Sequence, residues 1–232
     1  PVLPNGAGEG HEKIPARSRR RRDGQRCASR AGWRRMKLPR WSLAEPTERA
    51  IATFLTAQAS ADFSYRERGA SRAGAPAGYN LDHNRVRIGQ GEADFAAAGA
   101  ALRGWKMFPR PWTRIAPGDA PLREGQTVAM IAHAFGWWMS AARIVYLVEE
   151  TSAVRRWGFA YGTLPAHVEE GEERFMVEWR EDDSVWYDLR AFSRPRHPLV
   201  VLAKPLARRL QRRFVRESQA AMKQAVTKGA KR

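Results

Sequence analysis

The segment YGTLPAHVEEGEE, residues 161–173, sets one histidine, His167, just ahead of four glutamates, Glu169, Glu170, Glu172 and Glu173. A single His–Glu pair inside a pocket suffices for general acid–base catalysis, since one group takes a proton while the other delivers one. As a metal site the cluster fails on geometry. Hard cations take several carboxylates from a spaced loop of the D-x-D-x-D-G kind, whereas adjacent side chains cannot all aim at one ion. Leu164-Pro165 is expected to end one strand, Gly171 to turn the chain, and Glu173 to start the next strand. His167 and one of Glu172 and Glu173 are then the polar residues that face inward. Tyr161 and Thr163 alternate on the preceding strand and share its face, adding two hydroxyls to the same wall.

A second polar group lies in YNLDHNR, residues 79–85. Asp82 can orient a histidine there, and Tyr79, His83 and Arg85 can point into one cavity mouth. The competing and favoured reading is a loop held by Asn and Asp hydrogen bonds to its own backbone. The candidate catalytic residues are therefore His167, Glu172, Glu173 and His83; the candidate ligand-binding residues are Tyr79, Arg85, Tyr161, Thr163 and His167. Gly89-Gln90-Gly91 begins like a dinucleotide fingerprint, but Asp94 takes the third glycine position. Glu92 and Asp94 also put negative charge where a phosphate would sit, so helix-start chemistry explains the stretch. The five histidines, His11, His83, His133, His167 and His197, show no metal-like spacing, and Cys27 is the single cysteine. No metal and no organic cofactor is expected.

These residues need elements to position them. Ala50, Ile51, Phe54, Leu55 and Gln58 recur at helical spacing behind a cap at Thr47 or Ser42. Residues 63–71 alternate as a short strand, and a Gly/Pro-rich loop follows through residue 91. A second helix is expected over Glu92–Trp105, with Phe95, Ala98, Leu102 and Trp105 on one face. Residues 106–125 are rich in turn formers. After Gly125 five strands follow one another: QTVAMIAHAF, SAARIVYLVEE, RWGFAYGTL, RFMVEWRED and SVWYDLRAFS, the last two joined by Asp182-Asp183. From Leu199 to Val226 a long helix carries Leu199, Leu202, Leu206, Leu210 and Phe214 as one stripe. Arg208, Arg209, Arg212, Arg213 and Arg216 occupy the remainder, and Pro205 is expected to bend the helix near its start.

The net charge is +17, but it is unevenly placed. Residues 1–35 hold ten Lys/Arg against three acidic residues, and residues 204–232 ten against one, while 36–203 carries only +1. The first 35 residues lack apolar periodicity and read as a disordered basic extension, with Met36 as a possible true start. Residues 36–226 then form one domain, and 227–232 a basic tail. No apolar run is long enough to span a membrane, and one cysteine fits a reducing cytoplasm.

The segments GYNLDHNRVRIGQGEADF, LRGWKMF, GFAYGTLPAHVEEGEERF, AFSRPRHPL and QRRFVRESQAAM resemble the uncharacterised protein family 0548, a group with a DUF1990-type domain and no established activity. The resemblance runs from about Met36 to Met222. It implies the helix-grip, START and Bet v 1-like superfamily: an α+β fold in which a curved antiparallel sheet of about six or seven strands wraps a long C-terminal helix, with N-terminal helices. An apolar cavity would lie between sheet and helix. The leading expectation is a soluble, cytoplasmic binding domain for a small apolar or amphipathic ligand. A cofactor-independent enzyme using His/Glu chemistry in that cavity is second. Binding of nucleic acid or an anionic surface through the basic ends is third. The embedded tryptophans argue against RNA binding, while the basic C-terminal helix leaves room for peripheral membrane contact.

Overall fold

The computed structural model describes residues 40–196 and 204–229. The extension expected at 1–35, the Met36 start, His11, His197, Leu199 and Leu202 lie outside the described residues. Eight antiparallel strands form one sheet, with α-helices on both of its faces. The strands are β1 (Arg40–Ser42), β2 (Asn80–Gln90), β3 (Thr113–Ala116), β4 (Thr127–His133), β5 (Trp137–Thr151), β6 (Arg155–Thr163), β7 (Glu169–Trp179) and β8 (Ser184–Pro195). Their order is β2-β8-β7-β6-β5-β4-β3, and β1 pairs with the start of β5. Register shifts between Arg87 and Gly89, and between Ile144 and Tyr146, insert bulges that bend the strands locally. No helix among the described residues is long and apolar enough to cross a membrane.

The five strands expected after Gly125 all form, as β4 to β8, and Asp183 takes a left-handed conformation (φ 61°) in the β7–β8 hairpin. Three expectations are corrected. Residues 63–71 make turns rather than a strand, ending in a 3₁₀ turn at Ala70–Arg72. Their alternation marks burial: Tyr65 and Ser71 are both buried, and both bond to Glu172. The supposed Gly/Pro loop contains β2, and the turn-rich stretch contains β3. Finally, β7 begins at Glu169, so the glutamates belong to the strand and the turn precedes them.

Apolar burial explains the arrangement of helices. On one face, here called inner, Phe159, Phe175, Val177, Val185, Tyr187 and Leu189 pack against Ala98 and Leu102 of helix α2 (Gly91–Arg103). Met222 and Val226 of helix α3 (Lys204–Gly229) join the same core. Phe159 and Phe175 are fully buried, which stabilises the fold by about 1.5–3 kcal/mol each. On the outer face, Ile51 and Phe54 of helix α1 (Glu48–Gln58) cover Ala129, Ile131, Met139, Ala141, Leu164 and Ala166. Thr47 is the cap of α1, its hydroxyl accepting the Ala50 N–H at 3.2 Å. At the start of α2 the Asp94 carboxylate accepts the Gln90 N–H at 2.8 Å, which accounts for the Gly89–Gly91 stretch locally. Pro205 is the second described residue of α3, so the bend expected around it lies partly outside the described residues. The helix runs on to Gly229, past the expected end at Val226.

Candidate functional site

Strand alternation sorts the four glutamates two and two. Glu169 and Glu173 turn inward, whereas Glu170 and Glu172 turn to the outer face. Glu170 pairs there with Arg194. Glu172 is buried and accepts from Tyr65 Oη at 2.7 Å, Gly69 N–H at 2.8 Å, Ser71 N–H at 3.1 Å and the Ser71 hydroxyl. Four donors from one turn satisfy this carboxylate completely, so its task is to fasten residues 65–71 to the sheet. Gly171, between the two pairs, has φ +148°, and a Cβ there would run into the Phe192 carbonyl oxygen. Only glycine lets β7 and β8 approach this closely.

Inward, the sheet and the N-terminal half of α3 enclose a cavity of about 650 Å³. Trp112, Met130, Trp138, Leu189, Leu210 and Phe214 give it apolar walls, and Phe135 stands 79% exposed beside it. Its polar side is made of two hydrogen-bonded sets. Tyr161 Oη donates to Glu173 at 2.6 Å. Gln211 Nε2 donates to Glu169 at 2.7 Å, and Arg208 donates to Gln211 Oε1 at 2.9 Å. Arg208 also grips both oxygens of Asp82, at 2.6 and 2.8 Å, a two-pronged pair that ties α3 to β2.

The electrostatics of this side follow from burial. Glu173 is pushed up from 4.5 to about 7, first by burial, with the charges of Glu169 and Asp82 adding to it and the Tyr161 hydrogen bond opposing it. Burial raises Glu169 as well, against the bonds it receives. The Tyr161 hydroxyl is raised by burial and by the neighbouring Glu173, so it stays a donor. His167 is pushed down to about 4 by burial, against a backbone hydrogen bond with Glu169. It is therefore neutral at neutral pH, with Nδ1 3.0 Å from the Glu169 carbonyl oxygen and 3.1 Å from the Glu169 N–H. The Thr163 hydroxyl accepts the Gly171 N–H at 3.0 Å and lies 2.6 Å from the Ser64 hydroxyl, so it locks the end of β6. Glu173 is the cavity group equipped to exchange a proton near neutrality.

Of the expected residues, Tyr161, Thr163, His167 and Glu173 therefore meet around one cavity, but Tyr79, His83 and Arg85 do not join them. In β2 the residues Asp82, Asn84, Val86 and Ile88 face inward, which turns His83 and Arg85 outward. His83 Nε2 lies 2.7 Å from Asp188, and Arg85 pairs with Glu178 and, at 3.1 Å, with Asp188. Tyr79 packs edge-on against Phe192 and donates to Glu67 at 3.0 Å. Asp82 and Glu169 stand within the two motifs singled out in the sequence, whereas Arg208 and Gln211 carry no site signal of their own. Their roles follow only once β2, β7 and α3 are placed beside each other. Among the described residues, no three His, Cys, Asp or Glu side chains group as a metal-ligand set.

Residues 64–221 match the family described as domain of unknown function (DUF1990). A UPF0548 protein of Deinococcus radiodurans is 40% identical over 187 residues, covering 75% of this chain and 92% of the relative. A UPF0548 protein of Dictyostelium discoideum is 35% identical over 158 residues, covering 64% and 73%. The crystal structure of hypothetical protein jhp0584 from Helicobacter pylori aligns with a TM-score of 0.45 at 15% identity, over 73% of this chain and 98% of that one.

Proposed function

The chain belongs to the DUF1990 family, whose curated relatives are UPF0548 proteins, and from its inner cavity we propose that it binds a small amphipathic molecule between the sheet and α3. The carrying observation is a cavity of about 650 Å³ with apolar walls and one polar side, a size and character usual for small-molecule sites. The ligand class follows from the lining. An apolar body lies against Trp112, Trp138, Leu189 and Phe214, and a single hydroxyl, amine or carbonyl meets Tyr161 and Glu173. A protonated Glu173 donates to a carbonyl; an ionised one accepts from a hydroxyl or amine. A sheet facing a long C-terminal helix across such a cavity also supports assignment to the helix-grip class.

The test uses the full chain purified from its own host. Native mass spectrometry with solvent extraction is expected to recover a bound small molecule, and the stripped protein to bind the neutral dye N-phenyl-1-naphthylamine. Ala132→Trp, which fills the cavity, should abolish both while leaving the circular dichroism unchanged. An empty protein that ignores the dye, or dye binding that survives Ala132→Trp, would sink the proposal.

A second reading, acid–base catalysis, is favoured by one observation: a buried carboxyl titrating near 7 with a tyrosine hydroxyl bonded to it. His167 lines the same cavity, whereas the Glu172 carboxylate bonds outward to residues 65–71 and His83 lines the other cleft, so Glu173 would act with Tyr161, to which it is bonded, and with His167 as the further candidate. If the extracted molecule is chemically altered by the stripped protein and not by Glu173→Gln, the cavity is catalytic. If neither alters it, the site only binds.

A further inference from the structure

The outer face of the same sheet carries a second cleft, about 410 Å³, whose lining is almost entirely charged. Strand register creates it. His83 of β2 stands directly opposite Arg190 of β8, and Arg190 directly opposite Arg174 of β7. A histidine and two arginines thus lie in one row across neighbouring strands. Like charges directly opposite each other destabilise a sheet. Beyond Arg174 the row continues with the small Ala160 and then Tyr146, over whose ring the Arg72 guanidinium sits at 3.7 Å. The short side chain of Ala160 leaves a floor between the arginines.

The carboxylates in the cleft do not balance this row. Asp188 is occupied by His83, by Arg85 and, at 2.7 Å, by Arg174. Glu178 takes Arg85 and Arg156, and Glu150 takes Arg156. Arg72 and Arg190 have no carboxylate partner among the described residues; Arg190 donates only to the Arg72 carbonyl, at 3.2 Å. Arg174 is buried, and the Nε–H groups of Arg174 and Arg190 are both buried without a hydrogen-bond partner. Leaving such donors unmet is costly. A network that served only to hold strands together would pair its arginines. In the cleft lining five arginines meet three carboxylates, and with the buried Glu172, bonded to the neighbouring Ser71, also counted the excess is one positive charge; Arg72 and Arg190 are the two arginines left without a carboxylate partner among the described residues.

We propose that this outer cleft binds a phosphoryl group, held by Arg72, Arg174 and Arg190. Arg72 and Arg190, the two guanidiniums without a carboxylate partner among the described residues, suit an anionic phosphoryl group. Guanidiniums approaching from the 3₁₀ turn and from two strands suit a tetrahedral acceptor better than a planar carboxylate. The site lies on the opposite face from the cavity and does not depend on the cavity being occupied.

The test is thermal unfolding of the full chain in inorganic phosphate or phenyl phosphate, against chloride at matched ionic strength. Either phosphate should raise Tm with concentration; a stronger effect of phenyl phosphate identifies a phosphomonoester, a stronger effect of inorganic phosphate the free ion. Arg190→Gln and Arg72→Gln should each weaken the apparent phosphate affinity at least ten-fold while leaving dye binding in the inner cavity unchanged. In chloride alone, Arg190→Gln should be no less stable than the parent, because it removes the repulsion in the row. The proposal is overturned if phosphate acts no differently from chloride, if both variants respond like the parent, or if Arg190→Gln is equally destabilised in both salts.

Discussion

Glu173 and His167 share a wall and titrate in opposite senses. The Glu173 carboxyl is raised from 4.5 to about 7, so between those values the folded protein holds a proton that the unfolded chain has released. Stability contributed by this residue therefore falls as pH rises through that window. His167 is lowered from 6.5 to about 4, so there the unfolded chain binds the proton first, and stability falls as pH drops from 6.5 toward 4. Relative to the parent, Glu173→Gln should gain about 1–3 kcal/mol between pH 5 and pH 8, read by urea unfolding at fixed pH. His167→Asn keeps an acceptor for the Glu169 N–H and should gain progressively below pH 6.5. Flat difference curves would mean that water reaches both groups freely. The residue types of this site were legible in the sequence, but their orientation was not. Placing the turn at Gly171 rather than before Glu169 lost the phase of the strand, and with it the knowledge that Glu173 faces inward and Glu172 outward.

The two halves of α3 are held by different forces. Ser218, Met222 and Val226 are buried, with the Ser218 hydroxyl 2.9 Å from Tyr187 Oη. The N-terminal half lies over the cavity, where Leu206 is 37% exposed and the polar ties are Arg208–Asp82 and Gln211–Glu169. Helix stability comes mainly from packing of the apolar face, so the half with a void beneath it opens first. Amide hydrogen exchange should be faster over 206–215 than over 218–228, and Arg208→Ala should speed the first half alone. Uniform exchange along the helix would refute this division. The apolar stripe of this helix was readable because its period is regular. Strand β2 was not, because both of its faces are polar over residues 82–85: Asp82 and Asn84 meet the cavity, while His83 and Arg85 meet the charged cleft. Sheet pairing there rests on main-chain bonds and ion pairs, which leave no apolar alternation to detect.

Across the whole molecule one sheet serves two environments, an apolar cavity within and an arginine-rich cleft without, and β2, β7 and β8 line both. The near-neutral charge of residues 36–203 hides this, since the cleft's arginines are averaged with carboxylates elsewhere in the chain. Composition could locate the basic ends but not a charge surplus built by register. The same register leaves β2 at the margin of the sheet, its far side pairing with no other strand among the described residues. Along its eleven residues, the backbone groups that point away from β8 have no strand partner among the described residues, a template on which a second copy could add. Arg87, exposed on this strand, is a charged side chain of the kind that disfavours edge-to-edge pairing. Replacing Asn80 and Arg87 with valine should raise the light-scattering mass with concentration, most steeply at high salt; an unchanged mass would show that the edge is guarded by something other than charge.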